Sequence, residues 1–379
     1  MTGRRVGGYD LAVVGAGIIG LATALAAARR RLRVVVIDRD PVAQGASVRN
    51  FGFVTLSGQP RGTMWARARR TREIWSEVAA AARIPIVQRG AWFVARRTEA
   101  LPVFEEFLAT EMAEGCRLLS AREVRSRCPR LPLPELEAVL ESTLELRVES
   151  RAAVPRLAEW LASVHGVEFR WSTAVTGIAP PLVSTSHGTL EAARVAVCPG
   201  DDFRSLYPDR LAAAGLTRCK LQMLRLESPG FAFPAALLSD LSIGRYAGFA
   251  DFAAAGPLKA RLAAEQGAHL ENGVHLIVAQ SADGTLVVGD SHHYGPEPDE
   301  VRDEAVDALI LGEYRAATGL QPPPAVARWI GTYASASDRP VLIDAPDPSV
   351  RLAIVTSGAG ASTGFALGEE LVESLFGRG

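Results

Sequence analysis

The sequence predicts an α/β protein in which one unit, built around a parallel sheet, is assembled from both ends of the chain. An α+β unit, mainly antiparallel sheet, is inserted between those ends. Three observations predict this. The chain opens on a strand, glycine turn, helix, strand and acid in succession. It closes on a second strand, glycine turn and helix. The middle carries β-branched runs and a hairpin signal around Ala282, Asp283 and Gly284.

The opening unit is the most specific. Residues 9–14 (YDLAVV) read as a short buried strand. Gly15, Gly17 and Gly20 follow in a GxGxxG arrangement, residues 21–31 as an Ala-rich helix, and residues 33–37 as a second β-branched strand ending at Asp38. Gly15 permits a tight turn, Gly17 lets backbone approach a pyrophosphate, and Gly20 lets the helix pack on the strand. The helix N-terminus offers N–H groups to phosphate, and Asp38 can accept hydrogen bonds from a ribose diol. This predicts a Rossmann-like dinucleotide site. A further helix usually follows in a nicotinamide-binding unit. Here residues 44–54 (QGASVRNFGFV) read as a small, polar loop, which suits a chain running beneath a longer flavin dinucleotide.

Further along, residues 63–82 have helical spacing with Trp65, Ala68, Ile74 and Trp75 on one face. Residues 90–94 read as a strand and 103–114 as a helix. Ser120 begins a capping-box helix that Pro129 ends, and 131–137 is a Pro-rich loop. Residues 154–164 read as a helix, and 167–171 and 194–198 as strands, the latter running into Pro199 and Gly200. Residues 218–226, 274–280 and 285–290 read as strands and 301–318 as a long helix. Residues 352–356 form a last strand, leading through Gly358 and Gly360 to a helix that Ser362 and Thr363 are expected to cap. Its N-terminus is placed to face charge developing on a reduced flavin.

Composition narrows the function. The 379 residues carry 41 basic and 42 acidic side chains, a net charge of -1, so nothing favours nucleic acid. The lysines are Lys220 and Lys259. Four cysteines without a CxxC pair argue against a zinc ribbon, a redox dithiol or a disulfide framework, and for a reducing compartment. Residues 11–28 carry no charge and follow Arg4, Arg5 and Asp10. That is the outline of a signal peptide or membrane span, but three glycines and the strand-like run after it weigh against both. A cytoplasmic protein without membrane or nucleic-acid partners is expected.

The segments YDLAVVGAGIIGLATALAAA, VIDRD, GASVRNFGFV, TRCKLQM, VVGDSHHYG and SGAGASTGFALGEE together resemble the D-amino-acid-oxidase-like, glycine/sarcosine-oxidase type of FAD-dependent oxidoreductases. More narrowly they resemble the subgroup associated with phosphonate metabolism, for which TRCKLQM is the more specific signature. The resemblance spans residues 8–376. It implies an FAD domain (1–84, 151–217 and 325–379) and a substrate domain (85–150 and 218–324). The implied activity is oxidation of the C–N bond of a small aminophosphonate, 2-aminoethylphosphonate or its N-methyl derivative, to an imine that hydrolyses to an aldehyde. Oxygen or another acceptor then takes the electrons.

Carried over by position, the resemblance assigns Gly15, Gly17, Ile18, Gly20 and Asp38 to the ADP half of FAD, with Arg39 beside the adenine. Ser47, Arg49 and Asn50 pass the flavin, Val175 meets the adenine, and Gly200 turns by the pyrophosphate. Gly358, Gly360 and Thr363 flank the flavin edge. Three positions depart from the pattern. Tyr333 stands where glycine and D-amino-acid oxidases carry the arginine that holds the substrate carboxylate. Ala366 stands where sarcosine oxidases carry a lysine, and no cysteine lies near 331, so FAD is expected to be noncovalent. The lysine that promotes reaction with oxygen falls at Val287, leaving Lys220 as a substitute. Candidates for substrate contact are Arg49, Lys220, Gln222, Arg245, Tyr246, His292, His293 and Tyr333, because a phosphonate needs cationic, forked donors. Adjacent His292 and His293 should point to opposite faces of a strand and so not chelate together. Three other readings remain: an amino-acid or secondary-amine oxidase, a flavin-binding protein without amine turnover, and, from the GD of VVGDSHH, a hydroxylase.

Overall fold

The structure is a computed structural model that describes residues 8–378. Arg4 and Arg5, the basic flank of the opening apolar run, lie outside the described residues. Two sheets organise the fold. The first runs in the order Val341–Asp347, Val350–Val355, Gly188–Val197, Tyr9–Val14, Val34–Ile37, Glu168–Arg170. Tyr9–Val14 is parallel to both of its neighbours, and all of Val34–Ile37 is buried, as a parallel strand covered on both faces requires. Helices Ile18–Arg29, Thr63–Ala81, Ser150–His165 and Gly360–Phe376 build the apolar layer on one face.

The glycine turn is held by contact. Gly15 has φ +101°, and a Cβ on Gly20 would stand 1.8 Å from the Gly15 carbonyl oxygen. The two chain ends also meet directly. A Cβ on Gly368 would come within 2.5 Å of the Ala22 backbone, so the closing helix lies against the opening one.

The second sheet runs His293–Gly295, Thr217–Leu226, Leu286–Gly289, Ile277–Gln280, Ala236–Leu238, Ile86–Ala95, Ala138–Val148, Phe53–Val54. Ala325–Ser335 is added on Thr217–Leu226, and Cys116–Leu119 on Ala138–Val148. One face carries an aromatic cluster of Phe93, Phe104, Phe107 and Phe249; the other packs under helix Glu304–Thr318. Two of these strands, Phe53–Val54 and Ala325–Ser335, pair into this sheet, although boundaries at 84 and 325 group them with the first unit.

Several expectations are corrected. The 301–318 helix starts at Glu304, because the Asp303 carboxylate accepts the Ala305 N–H at 2.8 Å. The 103–114 helix ends at Leu108, and Cys116–Leu119 is a strand. Ser362 and Thr363 lie inside the last helix, which Ala359 precedes. The strand at 138–148 shows no simple alternation. It buries Glu141, Glu145 and Arg147, which meet partners distant in sequence: Glu141 takes Trp92, one oxygen of Glu145 takes Ser57 while the other has no hydrogen-bond partner among the described residues, and Arg147 takes the Phe51 and Gln280 carbonyls. The capping box at Ser120 is present in both halves. All four cysteines are free. Among the described residues no helix is long and apolar enough to cross a membrane.

Candidate active site

A cavity of about 710 Å³ lies between the glycine turns of the first sheet and the second sheet. Its floor comes from both chain ends: Gly17, Ile18 and Gly20 at one, Ser357 to Ser362 at the other, with Gly200 and Asp201 between. The loop 46–51 runs along one side. Ser47 Oγ accepts the Ile18 N–H at 2.9 Å, tying that loop to the start of the first helix. Asn50 shapes the loop, donating to the Ala46 carbonyl at 2.7 Å and accepting the Gly52 N–H at 2.7 Å. Arg49 lines the cavity, and its carbonyl accepts the Trp329 indole N–H at 3.2 Å.

The remaining cofactor candidates lie around this floor. Asp38 accepts the Ala16 N–H at 2.6 Å and the Asp40 N–H at 2.9 Å, so it braces the glycine turn next to the cavity. Arg39 is exposed and pairs with Asp202. Val175 is packed in the apolar layer with Val35 and Ile37. Thr363 is buried, and its hydroxyl donates back to the Ala359 carbonyl at 2.8 Å. None of Gly15, Asp38, Arg39, Val175 and Thr363 is among the residues lining the cavity, whereas Ser362 is. Ser362 Oγ accepts the Thr55 N–H at 3.0 Å.

The roof is built by the second sheet. Cys219 pairs in register with Tyr333 and Tyr294, and Leu221 with Gly331, so these positions share the cavity face. Lys220 and Gln222 therefore point the other way, which corrects their placement as cavity groups. Lys220 Nζ donates to Asp299 at 2.7 Å and to the Val301 carbonyl at 3.1 Å. Gln222 holds the start of helix Glu304–Thr318, donating to the Asp303 carbonyl at 2.9 Å and accepting the Asp303 N–H at 2.7 Å. Strand alternation is the reason: within TRCKLQM the cavity takes Leu221 and not its neighbours.

His292 lines the cavity, while His293 turns to Asn272 at 3.1 Å; the two histidines do point apart. Arg245, Tyr246 and Tyr333 also line it. Arg245 donates to the Tyr294 hydroxyl at 2.7 Å, its one side-chain hydrogen bond among the described residues. Burial works against its charge, yet Tyr294, Asp290 and Tyr333 hold its pKa above the ordinary value. Burial raises the phenols of Tyr246 and Tyr333, so both remain protonated donors.

Sequence reasoning missed His275, Asp290 and Tyr294, all in the cavity wall. His275 and Asp290 exchange both backbone hydrogen bonds, at 3.1 and 3.0 Å, at the open end of the 274–290 hairpin. Pairing that hairpin outward from Gly284 was the signal that would have found them. Burial pushes His292 down to about 3, against the pull of Asp290. Burial also opposes the Asp290 charge, but His292, His275 and Arg245 hold that carboxyl below its ordinary value.

A glycine cradle for a dinucleotide, roofed by hydrogen-bonding and charged side chains, defines an oxidoreductase working with a bound redox cofactor. Residues 10–374 match the family model described as FAD dependent oxidoreductase, and the chain belongs to that family. Its cofactor is FAD, and the Cβ-free floor at Gly17, Gly200 and Gly358 fits it. Among solved structures, the chain is similar to glycine oxidase from Bacillus cereus (15% identity, TM-score 0.77, covering 98% of this chain and 96% of that one). It is also similar to L-proline dehydrogenase from P. horikoshii (17%, 0.78, 98% and 94%). A third is FAD-bound L-alpha-glycerophosphate oxidase from Mycoplasma pneumoniae (18%, 0.73, 97% and 94%). No curated protein sequence matches the chain significantly.

Proposed function

We propose that this enzyme oxidises the C–N bond of a small aminophosphonate, 2-aminoethylphosphonate or its N-methyl derivative, with FAD held noncovalently. The observation that carries the reading is Arg245, a cavity guanidinium whose only side-chain partner among the described residues is a tyrosine hydroxyl. Four of its N–H donors are left for an anion, and a forked cation matches phosphonate oxygens. Arg49, which also lines the cavity, has no side-chain hydrogen bond among the described residues, and it adds a second positive charge. A neighbour named for glycerophosphate shares the fold, which is compatible with an anion bearing phosphorus.

Bound FAD supplies the two-electron acceptor for hydride from the carbon next to nitrogen. The chain's own work is positioning. Arg245, with Tyr294 and Tyr333, fixes the anionic end, while the strands that carry Leu221 and Gly331 form the roof above it. The neutral amine lone pair assists hydride departure, and the imine is hydrolysed to phosphonoacetaldehyde, with release of ammonia or methylamine. Trapping the aldehyde with a hydrazine, under air and with an artificial electron acceptor, tests the reading. Phosphonoacetaldehyde is expected; its absence with both substrates, alongside glyoxylate from glycine or sarcosine, overturns it.

The second reading, an amino-acid or secondary-amine oxidase, draws on the same guanidinium, which can hold a carboxylate. The substrate comparison separates the two.

A further inference from the structure

Tyr294 is the one side-chain hydrogen-bond partner of Arg245 among the described residues, and the strand that carries it is slight. His293–Gly295 is three residues long and lies at the end of the second sheet, paired among the described strands with Thr217–Leu226 alone, at Arg218 to Lys220. A short edge strand paired on one side has little stability of its own. Its start is tied to Asn272, whose carbonyl accepts the His292 N–H at 3.0 Å and whose side chain lies 3.1 Å from His293 Nε2. Its end is tied by Arg218, whose Nη1 donates to the Pro296 carbonyl at 2.8 Å.

The same guanidinium reaches the floor. Its Nε and Nη2 fork onto the Asp201 carbonyl at 3.0 and 2.8 Å, and its central carbon lies 4.6 Å from the centroid of the Phe203 ring. Asp201 follows Gly200 in the turn after strand Gly188–Val197. That turn abuts the opening glycine turn, since a Cβ on Gly15 would stand 2.4 Å from the Cys198 carbonyl oxygen. The Asp201 carboxylate is held as well, accepting the Thr332 hydroxyl of the roof at 2.7 Å. Gly200, Asp201, Thr332 and Tyr294 line the cavity, whereas Arg218 and Pro296 are not among its lining residues.

Three of the five N–H donors of Arg218 thus engage two main-chain carbonyls, one in the floor and one beside the Tyr294 strand. A carbonyl asks for a donor and not for a charge. What arginine supplies here is a planar fork of fixed span, which sets the separation of the two segments. The connection runs from the Gly200 turn through Asp201, Arg218 and Pro296 to Tyr294, and from its hydroxyl to Arg245 at 2.7 Å. Reduction of a flavin needs the substrate carbon in one place over the floor. An anchor for the anion sets that place only while anchor and floor keep a fixed separation.

We propose that Arg218 is a positioning residue that locks the anion anchor of the roof to the cofactor floor, through Tyr294 on one side and the Gly200–Asp201 turn on the other. This rests on the reading of Arg245 as the group that holds the substrate's anion. It goes further in assigning the placement of that anchor to a residue outside the cavity. Arg218 is the second residue of TRCKLQM, and it acts through its partners without touching the substrate.

The test measures binding of propylphosphonate and propionate, which carry the anion and no amine and so are not oxidised, by calorimetric titration of the holoenzyme in excess FAD. Arg218→Lys keeps the charge, but a single ammonium does not span both carbonyls. It should bind the anion about fivefold to tenfold more weakly, the scale of a charged hydrogen bond, and lose FAD faster on dilution, read by flavin fluorescence. Tyr294→Phe cuts the link to Arg245, so adding Arg218→Lys to it should change the anion's affinity by less than about twofold. Wild-type anion affinity in Arg218→Lys overturns the proposal, because charge alone then suffices. Additive losses in the double variant overturn it too, since a general weakening of the fold gives them. So does FAD retention in Arg218→Lys equal to the wild type's. A second measurement needs no change at Arg218: saturating propylphosphonate should slow FAD loss from the wild type and not from Tyr294→Phe. Equal slowing in both overturns the proposal. If propionate alone binds, with the same non-additivity and the same slowing, Arg218 keeps its role and the phosphonate reading falls. If neither anion binds the wild type, the anchor falls and the proposal with it.

Discussion

Arg245 and Asp290 put opposite charges on one wall of the cavity, and the anchoring of substrate argued above reduces to the first of them. Arg245→Met should lower kcat/KM for an anionic amine by about tenfold to a hundredfold, the worth of about 1.5–3 kcal/mol in charged hydrogen bonds. Most of the loss should fall in KM, and an amine without an anionic group should be nearly indifferent; steady-state kinetics on both decides it. His292 makes a prediction about acid. Its folded pKa, near 3, lies below the value of about 6.5 that an exposed histidine has, so the unfolded chain binds the extra proton first. The stability from keeping His292 neutral is fully present above pH 6.5 and is lost as pH falls toward 3. The depressed Asp290 carboxyl acts in the same direction, since its contribution is also lost on acidification. Denaturant melts between pH 7 and 4 should steepen in the wild type by up to about 1.4 kcal/mol per pH unit and flatten in His292→Gln. Equal slopes would contradict the assignment. Residues differ in how far the sequence disclosed them. Arg245, Tyr333 and His292 were reachable by position in a known pattern. His275 and Asp290 depend on a cross-strand register, and only the paired hairpin brings them together.

Single elements show where local pattern suffices and where it does not. The glycine turn at 15–20, the helix after it and the strand Val34–Ile37 were readable because each signal lies within a few residues. The strand Thr217–Leu226 was readable as a strand, but not in its facing. Its two neighbours decide which side meets the cavity, and they lie about 70 and 110 residues further along the chain. That facing has a consequence. Lys220→Met should leave the rate of flavin reduction by amine within about twofold, because the ammonium is engaged with Asp299 and Val301 on the far side of the sheet. A large loss of reduction rate would return Lys220 to the cavity. The strands Ala138–Val148 and Ala325–Ser335 escaped notice for a different reason. The first buries charged residues whose partners lie elsewhere in the chain, and the second, to which the sequence alone assigns no element, is held as a strand by its pairing with Thr217–Leu226. Between the two terminal helices, Gly368→Ala would force its new methyl to within 2.5 Å of the Ala22 backbone. It should cost about 1–3 kcal/mol by overpacking and weaken FAD retention with it, read by thermal melts and flavin content after gel filtration.

At the scale of the whole molecule, the first sheet supplies a floor from both termini and the second supplies a roof. The cavity exists only where the two meet. Neither chain end makes the floor alone: Gly17 and Gly20 come from one, Gly358 and Gly360 from the other. The sequence carried this closure, since a strand, glycine turn and helix at each end imply one cofactor unit interrupted by an insertion. It did not carry the joints between the units. Phe53–Val54 and Ala325–Ser335 both pair within the second sheet, although they flank segments that build the floor. This architecture predicts an enzyme whose floor accepts electrons and whose roof selects an amine bearing an anion. The most direct measurement is the absorbance of the oxidised holoenzyme, titrated without oxygen against N-methyl-2-aminoethylphosphonate, sarcosine, glycine and N-methylpropylamine. The account predicts that the yellow colour bleaches with the aminophosphonate and persists with the anion-free amine. Bleaching by the anion-free amine as readily as by the aminophosphonate, or by none of the four, would contradict it.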